Sequence, residues 1–324
     1  MAADARLLGP IDQRKALRLL LFVGVVLAAA AIDLTNTVLG RALLPAFGAT
    51  IGVDGGIAAR ILIGIVLGVL ALLNLLVLTL LQFRWQVLVM WVELLILFLA
   101  FFTSFDLSYP FIWSRLIFLI EGAGYTVYVS LISIFFACVL ALIGALARLS
   151  RSGPAFGIAT FYISFFRGTP LLLQVYLIYL GLPQIGLTLP AIPSGVIALS
   201  LCYGAYMAEI FRAGMEGVPH GQREAARALG LKEGVILRKI VLPQAMRLIV
   251  PPVGNQFIAM LKDSSLVSVM GVWELTFVAR TQGRSEFRHL EMLITAALLY
   301  WLLSIVFEII QARLEAHYGK GHKR

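Results

Sequence analysis

Few residues of this chain could do chemistry, and most of them stand among apolar neighbours. Gln174, Tyr203, Tyr206, Glu209, Asn255, Gln256, Lys262 and Asp263 lie within or beside long apolar runs. Polar and ionisable groups there are costly unless they line a pathway or bond to another helix. Both readings stay open for each, and Tyr203 and Tyr206, three apart, have packing as a further one. Arg167 precedes Gly168-Thr169-Pro170. Pro170 cannot donate a backbone hydrogen bond, so an interrupted or kinked helix is expected there, and again at Pro251-Pro252. Arg167 is expected to bond the carbonyls freed at the first break, or to reach the inner surface. His220, His289, His317 and His322 are dispersed, and Cys138 and Cys202 have no metal-ligand or disulfide spacing. No Ser/His/Asp or paired-carboxylate arrangement supports an enzyme.

The apolar background is broken by one long polar segment, 212–247. Pro219 can open a helix, Gln222 to Leu229 are good helix formers, and Gly230 can take the left-handed conformation that ends one. A second stretch is expected from Glu233 to Val241, stopped by Pro243. Two short helices joined by a glycine turn would then project from the membrane face. Ala225, Ala226 and Ala228 keep the first helix thin enough for a partner's backbone to approach. Glu224 and Arg227, three apart, are placed to pair. A solvated loop of ordinary helical content competes with this reading.

The elements holding these residues follow from composition. Of 324 residues 60% are apolar and 13% charged, and the mean hydropathy is +0.95. Soluble domains carry roughly a quarter charged residues, so lipid is the solvent that fits. The net charge of +9 comes from basic residues in short runs between apolar stretches, which suits a cytoplasmic membrane face better than nucleic acid. An all-α, polytopic transmembrane bundle of about eight spans is expected, at 18–34, 61–81, 86–103, 124–147, 160–182, 191–212, 248–271 and 291–312. A signal peptide competes for the first, because Ala28 to Ala31 resembles a cleavage region. Residues 37–58 read as a loop or surface segment, and 108–123 as an interfacial helix. With the N-terminus inside, 18 basic residues fall on the inner side and 6 on the outer, placing both termini in the cytoplasm.

Glu224-Ala225-Ala226, then Gly230, Ile240 and Leu242-Pro243, resembles the EAA loop of bacterial ABC importer permeases. Phe166 to Pro170, Tyr206 to Arg212, Gly254 to Phe257 and Leu261 to Leu266 resemble its polar amino-acid branch. The resemblance covers about Glu121 to Arg313, the last five spans, and implies a type I importer core at 121–313. It leaves 1–120 as an added three-span extension and 314–324 as a cytoplasmic tail. It also implies a bacterial inner-membrane location and coupling through the loop to a cytoplasmic ATPase dimer, which holds ATP and Mg. The chain itself has no phosphate-binding G-x-x-x-x-G-K-[ST] sequence and is expected to bind no cofactor. The other implied partners are an extracytoplasmic amino-acid-binding protein and a second permease subunit. Lys262 and Asp263 could then meet an amino acid's charged groups. The rivals are an ion-driven secondary transporter, which inverted repeats would favour and none are visible, a membrane enzyme, and a scaffold.

Overall fold

The computed structural model describes residues 10–32, 57–103, 105 and 107–318. The surface segment expected at 37–58 lies almost wholly outside them, as does the end of the tail. The structure divides into two compact units, Met1–Leu107 and Ser108–Arg324.

The first unit contains α1 (Pro10–Ala31), α2 (Ile57–Leu80) and α3 (Phe83–Thr103). Helices in lipid associate through close packing of small residues rather than through the hydrophobic effect. Here a Cβ added at Gly64 would stand 3.0 Å from the Val26 carbonyl oxygen, so α1 and α2 approach closely. A polar bond joins α2 to α3, from Asn74 Nδ2 to Glu93 Oε2 at 2.8 Å.

The second unit begins with α4 (Tyr109–Leu149), an unbroken helix of 41 residues. Its length is about 60 Å at 1.5 Å per residue, roughly twice a hydrocarbon core. The interfacial helix expected at 108–123 is therefore the first part of α4, because Pro110 opens the helix and no later proline interrupts it. The boundary expected at 120 falls inside α4.

Then come α5 (Gly153–Gly168) and α6 (Leu171–Tyr176), which runs on through a π turn and a 3-10 turn to Ile185. The chain bends by 109° between the two. Next are α7 (Ala191–Glu216), α8 (His220–Ala228) and α9 (Glu233–Ile236). A π turn at Leu237–Val241 leads into α10 (Leu242–Asp263) and a 3-10 segment to Met270. The last elements are α11 (Leu275–Ser285) and α12 (His289–Tyr318).

Each expected span coincides with a helical segment. Four helices among the described residues are long and apolar enough to cross a membrane unaided, and five if the bent α5–α6 pair counts as one.

One departure concerns a proline. Pro243 does not stop a helix, because helical backbone continues from α9 through the π turn into α10. The Leu242 N–H bonds five residues back to Leu237, and Pro243 sits in the first turn of α10, where a missing donor matters least. Pro251 and Pro252 lie inside α10 without ending it, and Gln311 of α12 donates to the Pro251 carbonyl at 3.2 Å.

The core lies between α4, α7 and α10. Ala137, Ala141 and Ala145 of α4 are fully buried, with Leu199 and Met207 of α7 and Met260 of α10. Small side chains let α4 and α7 run close together. A Cβ added at Gly204 would come within 2.9 Å of the Leu140 Cβ and 2.7 Å of the Tyr162 hydroxyl. That hydroxyl donates to the Leu201 carbonyl at 2.7 Å, tying α5 to α7.

Candidate functional site

The sequence-predicted residues fall into two groups. The first is an elbow made of α8, the Gly230 turn and α9. Gly230 has φ +74°, a left-handed conformation that only glycine adopts without cost. Two bonds finish the helix end: Gly230 N–H to the Arg227 carbonyl at 2.9 Å and Leu231 N–H to the Ala226 carbonyl at 3.1 Å. This paired pattern satisfies carbonyls that a helix end otherwise leaves open. Arg223 donates to the Met215 carbonyl at 2.9 Å, anchoring α8 to the end of α7.

Ala226 is 2% exposed and packs in the core cluster with Met215, Val218, Ile236, Val241 and Ala245. It therefore faces inward and is no docking surface, whereas Glu224 and Ala225 are exposed. Ile240 and Leu242 are half-buried and Pro243 is exposed. Arg227 bonds not to Glu224 but across the turn to Glu233, at 2.6 Å. That contact holds the Glu233 carboxyl below its ordinary range. The sequence reading overlooked Leu229, which is 79% exposed at the tip beside the glycine. Its signal was present as a leucine set immediately before a helix-ending glycine.

The second group surrounds the α5–α6 break. Thr169 and Pro170 separate the helices in extended conformation. The freed carbonyls are capped by Gln174, not by Arg167. The Gln174 Nε2 donates to the Phe166 carbonyl at 2.8 Å and to the Thr169 carbonyl at 3.0 Å. Arg167 instead lies over the Tyr206 ring, 5.4 Å from its centroid, an attractive cation–π geometry.

Both residues border a cavity of about 430 Å³ that also touches Gly168, Thr169, Pro170, Tyr203, Gln256 and Asp263. Tyr203 donates to Asp263 Oδ2 at 2.7 Å. The cavity is thus bordered by an arginine and an aspartate, an arrangement suited to a small solute carrying both charges.

The other candidates do not join it. Lys262 and Asn255 face a separate cavity bordered by Glu308 and Gln311. Adjacent residues on a helix point about 100° apart, so Lys262 and Asp263 serve different sides of α10. Glu209 is tied to Arg212 at 2.9 Å and Arg148 at 3.6 Å.

A further polar knot escaped the sequence reading. Glu274 is fully buried and caps α11, accepting from Thr276 N–H at 2.9 Å and Phe277 N–H at 2.7 Å, with Tyr300 as another donor. Burial pushes its carboxyl up, against the pull of those donors. Thr126 of α4 joins the same end of α11 by accepting from Leu275 N–H at 3.1 Å.

Comparison with known proteins places this geometry. Residues 140–320 match the family described as "Binding-protein-dependent transport system inner membrane component". The L-cystine transport system permease protein TcyB of Bacillus subtilis (strain 168) is 42% identical over 204 residues, 61% of this chain and 87% of that protein. The glutamine transport system permease protein GlnP of Escherichia coli (strain K12) is 36% identical over 206 residues, covering 63% and 94%. A solved amino acid ABC transporter, described as having histidines, superposes with a TM-score of 0.62 at 36% identity, covering 66% of this chain and 100% of the other. The inward-facing MetNI methionine ABC transporter has a TM-score of 0.55 at 21% identity and shares the fold. With its helical bundle, its EAA loop and these matches, the chain belongs to the binding-protein-dependent transport system inner membrane component family.

Proposed function

We propose that this chain is the membrane-spanning subunit of an ATP-binding-cassette importer that moves a polar amino acid inward. The observation that carries the reading is the locked elbow. Its turn is closed by two backbone bonds, its base is held by Arg223, and Ala226 sinks into the core that supports α7 and α10. A push on its exposed tip, at Glu224, Ala225 and Leu229, therefore reaches both helices together. Coupling between sites needs such an element that moves as a unit.

In this account a separate ATPase dimer binds ATP and Mg, and its closure moves the elbow. Both termini and the elbow lie on the cytoplasmic side, as the excess of basic residues indicates. A second permease subunit completes the pathway, and an extracytoplasmic binding protein delivers the solute. Polar amino acids are the expected class, since the relatives include an L-cystine and a glutamine transport system permease protein. In the cavity at the helix break, the solute's carboxylate would meet Arg167 and its ammonium Asp263, whose own carboxylate is oriented by the Tyr203 hydroxyl.

Reconstitution in proteoliposomes tests the reading. The chain alone should neither transport nor hydrolyse ATP. With its ATPase and a binding protein loaded with a polar amino acid, hydrolysis should rise and the solute accumulate. Uptake by the chain alone down an ion gradient would overturn the proposal.

A further inference from the structure

Four arginines stand at or near the outer ends of the last helices and of α4, and they fall into two kinds. Arg115 pairs with Glu286 at 3.2 Å, and Arg288 pairs with Glu291 at 3.0 Å. The side chains of Arg280 and Arg284 make no ion pair or hydrogen bond among the described residues. They are four apart on α11 and so share one side of it, where like charges repel. Both border a cavity of about 460 Å³, together with Tyr176, Ser268, Phe277 and Thr281. Two unneutralised guanidiniums beside hydroxyl-bearing residues suit a carboxylate, which arginine's planar fork grips at two points.

The surroundings favour a protein as the carrier of that carboxylate. Trp273, tilted by 45° against Phe277 with centroids 5.8 Å apart, is 60% exposed. Phe287, three residues beyond Arg284, has φ +56° with its ring 90% exposed. A left-handed backbone at a bulky residue is strained, and such strain clusters at functional sites. Exposed Trp, Phe and Arg together are the composition of protein interfaces.

We propose that Arg280 and Arg284 receive an acidic side chain of the extracytoplasmic binding protein and so dock it on the outer face. This rests on the importer reading above and on its orientation.

The test uses the complete permease–ATPase complex in lipid nanodiscs, titrated with the binding protein that stimulates the wild-type complex. The variant Arg280→Glu with Arg284→Glu should raise the half-maximal concentration about tenfold or more. Its hydrolysis without binding protein should stay unchanged, and the maximal rate should be reached at high concentration. Salt should weaken the wild type more than the variant. If charge reversal impairs assembly, Arg280→Gln with Arg284→Gln gives the same reading. A compensating Glu→Lys change on the binding protein should restore affinity to the reversed variant. A half-maximal concentration unchanged in both variants overturns this inference alone, as does a lowered maximal rate at unchanged half-maximal concentration, which would put the pair on the solute's route. A wild-type complex that no binding protein stimulates overturns the importer reading and this inference with it.

Discussion

The elbow and the α5–α6 break both end a helix within a few residues, yet they are finished in opposite ways. At the elbow the backbone closes on itself, through Gly230 and Leu231 N–H groups, and an alanine fills the core beneath. At the break the backbone cannot close, because Pro170 lacks a donor. A single side chain, Gln174, satisfies two carbonyls, and a polar cavity remains beside it. The first joint is suited to carrying force and the second to holding a solute. A helix ended by its own backbone can be packed solid, whereas one ended by proline leaves space and polar groups for something else.

Breaking the elbow should have the largest effect. Gly230→Val forces a β-branched residue into a left-handed turn, where even ordinary residues lose about 1–2 kcal/mol. Binding-protein-stimulated transport should fall about a hundredfold, while membrane insertion, read by expression and labelling, is kept; near-normal transport would remove the need for a fixed turn.

At the break, Asp263→Asn should lower uptake about tenfold or more by removing the carboxylate. Tyr203→Phe should lower it less, since the charge remains. Basal ATP hydrolysis in the assembled complex should be unaffected by either, so a fall in basal hydrolysis equal to the fall in uptake would move Asp263 from solute contact to coupling.

Gln174→Ala removes the amide donor of two part-buried carbonyls, at about 1 kcal/mol for each hydrogen bond. Thermal unfolding of the purified chain should therefore come several degrees earlier, and uptake should fall severalfold. The smallest effect belongs to Glu233→Gln. The Arg227 pair is on an exposed surface, where ion pairs contribute little, and transport should stay within about twofold of wild type. A large loss there would mean that the ATPase contacts this pair.

Much of the elbow was legible in the sequence, because its devices are local. Helix formers, a glycine and a proline at fixed offsets specify a turn wherever it sits. Pro243 misled for the same reason: proline stops a helix from within but is tolerated in a first turn, and only the π turn before it shows which applies. The break at Pro170 was legible too, whereas its cap was not, since Arg167 and Gln174 are both near enough in sequence to serve. Geometry chose the shorter amide and left the guanidinium over Tyr206. Sequence alone left Glu209 between a pathway and a helix-bonding role, because one of its ion-pair partners, Arg148, is 61 residues away in the chain. Lys262 and Asp263 could have been separated from helical spacing alone, since neighbours on a helix cannot share a face. The span pattern needed nothing more than composition and length.

The central claim is that the elbow tip touches the ATPase. A Leu229→Cys variant, in a background with Cys138 and Cys202 replaced by Ser, should crosslink within membrane vesicles to the ATP-hydrolysing polypeptide. It should also resist labelling by an impermeant thiol reagent applied from outside intact cells. Labelling from outside, together with no crosslink to any ATPase, would contradict the account.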